Sequence, residues 1–284
     1  MPDLTVLAEG FVFTEGPRWH EDKLWFSDMH ARAVHTVTMD GNVDEVVEVP
    51  GRPSGLGWLP DGRLLIVSMQ DRRLLRLEPD GHLTEVADLS GVASWDCNDM
   101  VVDGLGRAYV GNFGFDLFER GTESRPACLA RVDPDGTVTM AAEDLLFPNG
   151  TVITPDGSTL IVGESYGARL TAFDIGPDGG LSDRRTWAAL SGATPDGICL
   201  DAEGAVWLAS PLNHEVLRVR EGGEVLARLA VDEDRQAVAC MLGGPGRRTL
   251  FVCTTMAIYP PKAIELRSSR IEVTDVDVPG AGWP

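Results

Sequence analysis

Two series of glycine turns interleave along this chain, and their spacing restricts its fold more than any other feature. The segment WLPDGRLLIVSM (58–69) recurs as VVDGLGRAYVGN (101–112), ITPDGSTLIVGE (153–164), CLDAEGAVWLAS (199–210) and LGGPGRRTLFVC (242–253), with a shorter copy at WHEDKLWFSD (19–28). Each copy is a short strand, an acidic or glycine turn, and a second strand of alternating bulky residues. Anchored on Gly62, Gly106, Gly157, Gly204 and Gly246, the intervals are 44, 51, 47 and 42 residues. The second series reads TMDG (38–41), EPDG (78–81), DPDG (133–136), GPDG (176–179) and REGG (220–223). Two hairpin turns per period mean four strands per period, the unit of a propeller blade.

Six periods predict an all-β, six-bladed β-propeller with four antiparallel strands per blade, and one domain over residues 1–284. The 32 glycines and 18 prolines suit an all-β chain rich in turns, and helical periodicity is essentially absent. Segment TVLAEGFVF (5–13) is expected to close the last blade beside RIEVTDVDV (270–278), which leaves no open sheet edge.

Equivalent positions in the blades carry the chemistry. Eight residues before each anchoring glycine stand Ser54, Asn98, Asn149, Asp196 and Val238, and the shortened first copy places Glu15 there. Asn149-Gly150 read alone is a hairpin signal, but the repeat puts it at the start of an inner strand. The starts of six inner strands meet at one end of the central channel. Two carboxylates and two amides converging there are costly to desolvate without a compensating charge. Hard oxygen donors suit a divalent cation such as Ca²⁺, Mg²⁺ or Mn²⁺, and no histidine or cysteine in the ring argues for zinc. A glycine follows Glu15, Ser54, Asn149 and Asp196, which would let the backbone turn tightly beside each donor.

Loops leaving the second strands border the same channel end and carry His30, Gln70, Asn112, Phe113, Phe115, Tyr166, His214 and Tyr259. The longest of them, GNFGFDLFERGTESRPA (111–127), is a candidate lid. Loops entering the blades add Arg52, Asp96 and Phe147. Arg52, Asp96, Phe113, Phe115, Tyr166 and His214 are therefore candidate substrate contacts, and His30 and His214 candidate proton carriers.

Charge and cysteine usage remove other classes. A net charge of −20 argues against binding nucleic acid or an anionic membrane. No apolar stretch approaches the roughly 20 residues that span a bilayer, and the N-terminus lacks a secretory pattern. Five scattered cysteines without a C-x-x-C pair read as buried free thiols of a cytoplasmic protein. No G-x-S-x-G elbow supports an acyl-serine route. No exposed apolar stripe requires an oligomer.

The segments FTEGPRWHEDKLWFSD (13–28), RPSGLGWLPDGRLLIV (52–67), NDMVVDGLGRAYVGN (98–112), FPNGTVITPDGSTLIVGES (147–165) and TPDGICLDAEGAVWLAS (194–210) resemble the SMP-30/gluconolactonase/LRE-like family. The resemblance spans all but the final blade. It implies a hydrolase that opens lactones, or in some relatives organophosphates, with one divalent cation on the propeller axis. Carried over by motif, Glu15, Asn149 and Asp196 would hold the cation, and Asn98 would be a further ligand or a substrate contact. Asp196 is the expected base for the attacking water, with Asn98 beside it. Oxygen ligands favour Ca²⁺, with Mg²⁺, Mn²⁺, Zn²⁺ or Fe²⁺ as alternatives. The family's sugar-lactone members carry an arginine two residues before the ND asparagine, where this chain has Asp96, so a sugar-acid lactone is not indicated. The leading expectation is a metal-dependent lactonase acting on a small cyclic ester. The alternatives are a phosphotriesterase-like hydrolase on the same ring and a non-catalytic small-molecule-binding propeller with a structural cation.

Overall fold

The computed structural model describes residues 3–119 and 121–282. Six four-stranded antiparallel sheets stand around an axis, as the two turn series require. Blade one runs from Thr14 to Glu48, blade two from Pro53 to Asp88, blade three from Cys97 to Leu145, blade four from Pro148 to Ala189 and blade five from Ile198 to Ala230. Blade six takes its three inner strands from the chain's end, Gln236–Gly243, Thr249–Thr255 and Ser269–Asp275. Its outermost strand is Thr5–Phe11, paired Thr5 to Val273 and Phe11 to Ser269, so the N-terminal segment closes the ring where the sequence placed it.

Local chemistry explains the turns. In the first series Gly62, Gly106, Gly157 and Gly204 each donate their N–H back three residues, to Leu59, Asp103, Thr154 and Asp201. All four have a positive φ of 72–85°, which an L side chain would strain. The sixth copy departs: LGGPGRR forms a short 3-10 turn over Pro245–Arg247. Helix is not wholly absent either, because Pro260–Leu266 forms one short helix after the second strand of blade six. Two consecutive prolines in its first turn cost no hydrogen bonds there, and seven residues are too few to display an amphipathic period.

Burial falls from the axis outward. The inner strand Cys97–Val102 and the second strand Leu64–Ser68 are buried throughout, whereas the outer strand Val43–Glu48 is exposed or half-buried. Apolar faces of neighbouring blades pack together, as where Met100 and Val102 of blade three meet Leu65 and Val67 of blade two. All five cysteines are free and buried. Among the described residues, no helix is long and apolar enough to cross a membrane.

Candidate active site

Most ring residues sit at a break in their strand's pairing. The inner strands skip a step between Glu15 and Arg18, Pro53 and Leu56, Cys97 and Met100, Pro148 and Thr151, and Ala237 and Ala239. These bulges take Ser54, Asn98, Asn149 and Val238 out of the ladder, a device that re-aims side chains beside functional sites, whereas Glu15 still pairs with Ser27 and its bulge begins just after it. Blade five reaches the same result differently. Its inner strand begins only at Ile198, and Asp196 is held by its N–H to the Ala209 carbonyl at 2.9 Å.

The glycines after the ring residues serve a different purpose from the expected one. Only Gly16 among those four has a positive φ. A Cβ on Gly55 would lie 2.4 Å from the Met100 nitrogen, and one on Gly150 would lie 2.4 Å from the Ile198 nitrogen. The backbones of adjacent inner strands touch here, so these glycines narrow the channel and draw neighbouring donors together.

A polar chain follows the ring. Ser54 Oγ donates to Asn98 Oδ1 at 3.3 Å, Asn98 Nδ2 donates to Asn149 Oδ1 at 3.1 Å, and Asn149 Nδ2 reaches Ser165 Oγ at 3.3 Å. The Asn149 amide also bonds the Asp196 carboxylate. Ser165 Oγ in turn donates to the Pro195 carbonyl at 2.6 Å, tying the fourth blade to the segment that carries Asp196. Ser54, Asn98 and Asn149 are buried, while Glu15 and Asp196 are half-buried. Burial pushes the Glu15 carboxyl well above its usual range, and the Asp196 and Asp99 charges push it further. Burial likewise raises Asp196, with Asp99 adding to it and the Asn149 bond opposing.

Sequence reasoning missed what lies behind the ring. Arg18, from blade one, crosses to blade three and donates to Asp99 Oδ1 at 2.8 Å and the Met100 carbonyl at 2.7 Å. Both side chains are buried. The signal was available: an arginine in EGPRWH and an aspartate in CNDMVV occupy strands that are otherwise apolar or ring-forming. One guanidinium thus bonds Asp99 and lowers Glu15, while Asp99 in turn acts on both Glu15 and Asp196, so three carboxyls share one nearby positive charge. This excess of buried negative charge, with amide oxygens beside it, fits a bound cation. Among the described residues no three His, Cys, Asp or Glu side chains form a metal cluster, so two carboxylates and an amide are the donors available.

The expected loop residues divide. Phe113, Phe147 and Tyr166 form one continuous stack, with centroids 4.8 and 5.0 Å apart and planes within 20°, and Phe115 leans on the last two rings. Phe118, in the long loop of blade three, reaches across to His30 of blade one and Tyr259 of blade six. Arg52 and Asp96 face each other electrostatically, and burial raises the Asp96 carboxyl while the Arg52 charge lowers it. His30 is buried, stacks on Phe13, meets the Ile258 carbonyl through Nε2 at 3.0 Å, and is pulled down to about 4 by burial. A neutral, weakly basic imidazole is a poor proton carrier at neutral pH. His214 caps a 3-10 turn with Nδ1 2.5 Å from the Arg235 carbonyl. Gln70 is an exposed turn residue. Asn112 does not border the site, because its amide is spent on the Cys128 carbonyl and on the Gly114 N–H.

A six-bladed propeller with an acid-rich oxygen ring at one mouth of its axial channel defines the class of this protein. The chain belongs to the SMP-30/gluconolactonase/LRE-like family, whose sequence model matches residues 13–256. It is 27% identical to a 6-deoxy-6-sulfogluconolactonase of Pseudomonas putida, over 98% of this chain and 96% of that one. A gluconolactonase from Xanthomonas campestris superposes with a TM-score of 0.78 at 26% identity, covering 96% of this chain and 89% of that one. The calcium-binding regucalcin of Agrobacterium tumefaciens shares the fold with a TM-score of 0.82 at 23% identity, covering 100% and 96% of the two chains. Several relatives of this chain are thus named lactonases.

Proposed function

We propose that this chain is a divalent-cation-dependent lactonase that opens a small cyclic ester by attack of water. The observation that carries the reading is the pair Glu15 and Asp196, two half-buried carboxyls both raised by burial, with the Asp196 charge raising Glu15 further, at the channel mouth beside Asn98 and Asn149. Glu15, Asn149 and Asp196 would hold the cation, with Asn98 adjoining them. When bound, the cation supplies positive charge that polarises an ester carbonyl and acidifies water. Hard oxygen donors favour Ca²⁺ in that role, with Mg²⁺, Mn²⁺, Zn²⁺ and Fe²⁺ as the alternatives a metal screen separates.

The chain's own residues supply the rest. Asp196, held by the Asn149 amide, accepts the proton of the attacking water. Asn98 is fixed by Ser54 and Asn149, and it orients the substrate carbonyl from the next blade. The Arg18–Asp99 pair holds the inner strands of blades one and three at fixed separation behind the ring. Phe113 and Phe118 exclude bulk water from above. Five buried free thiols suit a reducing cytoplasm.

The test pairs elemental analysis of the purified protein with a pH-indicator screen of lactones, before and after chelation. Lactone opening that depends on a divalent ion and is lost in Asp196→Ala is the expected result. Full activity after exhaustive chelation would overturn the cation dependence. Unchanged activity in Asp196→Ala would overturn the site. Turnover of phosphotriesters but of no lactone would assign the ring to the other hydrolase class.

A further inference from the structure

The Asn149 side chain is a buried amide with four hydrogen-bonding positions, two N–H donors and two oxygen lone pairs. The protein fills three of them. Nδ2 donates to Ser165 Oγ at 3.3 Å and faces the Asp196 carboxylate, while Oδ1 accepts from Asn98 Nδ2 at 3.1 Å. Among the described residues the position left over is one oxygen lone pair, which calls for a cation or a donor. The sense of this network is set from outside the ring. A backbone carbonyl can only accept, and the Pro195 carbonyl takes the Ser165 hydroxyl proton at 2.6 Å. The Ser165 oxygen therefore has only lone pairs to turn toward Asn149. The amide must show it an N–H, which sends Oδ1 to the other side, toward Asn98. A second carbonyl agrees. Pro148 O lies 3.5 Å from Asn98 Nδ2, which keeps that nitrogen toward blade four and the Asn98 oxygen toward the Ser54 hydroxyl. The chain thus donates in one direction throughout, from Ser54 through Asn98, Asn149 and Ser165 to Pro195. Ser165 is itself firmly placed. It follows Glu164, which pairs with Pro148, and its own N–H is held by the Phe147 carbonyl at 3.0 Å.

We infer that Ser165 is a positioning residue for the cation: by donating its proton to the Pro195 carbonyl, it holds the Asn149 amide with its oxygen, rather than its nitrogen, on the side of Asn98 and free to bind the ion. This inference rests on the cation-dependent reading of the ring and adds a residue that would touch neither the ion nor the substrate. Without the hydroxyl, one buried Asn149 N–H loses its acceptor, and the amide is free to turn over together with that of Asn98. Turning over puts hydrogens where the free lone pair stood, and an N–H repels a cation. A carboxylate at position 149 would have no such sense, because both of its terminal atoms are oxygens. Ser165 has a second link to the site, since Pro195 precedes Asp196 in the chain, and a tether of that kind would act whatever stands at position 149.

Calorimetric titration of the chelated full chain with Ca²⁺ and with Mn²⁺ tests this without any substrate. Ser165→Ala is expected to weaken binding about 10- to 100-fold, the usual cost of losing a partner behind a metal ligand. Ser165→Thr keeps the hydroxyl and should recover most of that loss. Ser165→Cys, with its weaker S–H donor, should fall between the two and serves if the alanine variant folds poorly. The deciding measurement repeats Ser165→Ala in an Asn149→Asp background, where the amide no longer needs orienting and the exchange should cost almost nothing. Parent affinity in both Ser165→Ala and Ser165→Cys would overturn the inference. A penalty undiminished in the Asn149→Asp background would overturn it as well, and would make Ser165 a tether for the Asp196 segment instead. A parent chain that binds neither ion would refute the cation reading of the ring and this inference with it, whereas a parent that binds both and a tolerant Ser165→Ala would refute the inference alone.

Discussion

Replacing Arg18 with Leu removes the one guanidinium behind the ring, and the consequence follows from its surroundings. Arg18 is 4% exposed and Asp99 7%, and the bonds at 2.8 and 2.7 Å leave the guanidinium little other company. Breaking such a pair by deleting one member costs about 3–5 kcal/mol, since the survivor is an uncompensated buried charge. Here the survivor stands near Glu15 and Asp196, carboxyls that bring no compensating positive charge. Protonation limits the damage. Neutralising a carboxyl of ordinary pKa 3.8 costs about 1.4 kcal/mol per pH unit above that value, so the ceiling is about 1.6 kcal/mol at pH 5 and about 4.4 kcal/mol at pH 7. Asp99 is already raised by burial and is raised further without Arg18. A carboxyl raised in the folded state gives stability that is present at acid pH and lost as pH increases. The deficit of Arg18→Leu should therefore grow with pH. With an unfolding entropy of roughly 2.1 cal/mol/K per residue over 284 residues, 3–5 kcal/mol corresponds to about 5–8 °C. Calorimetric melting of the parent, Arg18→Leu, Asp99→Asn and the double variant at pH 5 and pH 7.5 reads this directly. The double variant, a neutral pair that keeps an acceptor for the Met100 N–H, should recover most of the loss. A deficit equal at both pH values, or a double variant no more stable than Arg18→Leu, would refute the electrostatic account.

Three further outcomes are expected. Asn149→Leu should abolish cation retention, read by elemental analysis after dialysis, while far-UV dichroism stays that of the parent; a full complement of metal would remove Asn149 from the site. In the chelated protein, Glu15 and Asp196 hold protons that the unfolded chain has already shed, so their contribution to stability is present near pH 4 and is lost as pH rises toward about 8. Melting temperature should fall across that window, excess Ca²⁺ should flatten the fall, and loading at pH 7 should release protons measurable in weakly buffered solution. A chelated protein that grows more stable over the same window would contradict the shifts. Gly150→Ala places a Cβ 2.4 Å from the Ile198 nitrogen and should cost about 1–3 kcal/mol by denaturant melting, whereas Gly157→Ala meets no atom within 4 Å and pays only for its positive φ.

The architecture was legible because turn chemistry repeats at a fixed period and each turn needs glycine for a stated reason. The ring was legible for the same cause, since counting back from Gly62, Gly106 and Gly157 lands on Ser54, Asn98 and Asn149 without reference to neighbours. The bulges under those residues were not, because a pairing step skipped between Pro148 and Thr151 depends on Glu164 and Val162 of the next strand. Interblade contacts were hidden too. Gly150 reads as a turn residue in sequence, while its reason for being glycine is Ile198, in another blade. The short helix Pro260–Leu266 lacked a periodic signal, and Asn112 looked like a loop donor because its partner Cys128 arrives sixteen residues later.

These two kinds of placement separate the chemistry from the choice of substrate. Glu15, Asn98 and Asn149 stand on bulged inner strands whose backbones touch the next blade, so their positions are fixed by contacts that run around the whole ring. Asp96, Phe113, Phe118 and Tyr166 stand on loops or strand ends that face the channel mouth and answer to fewer constraints. An exchange at position 96 would leave Asn98 undisturbed, because its amide is held by Ser54 and Asn149 rather than by its own loop. A propeller of this kind can therefore keep one hydrolytic ring and change its substrate from the loops inward.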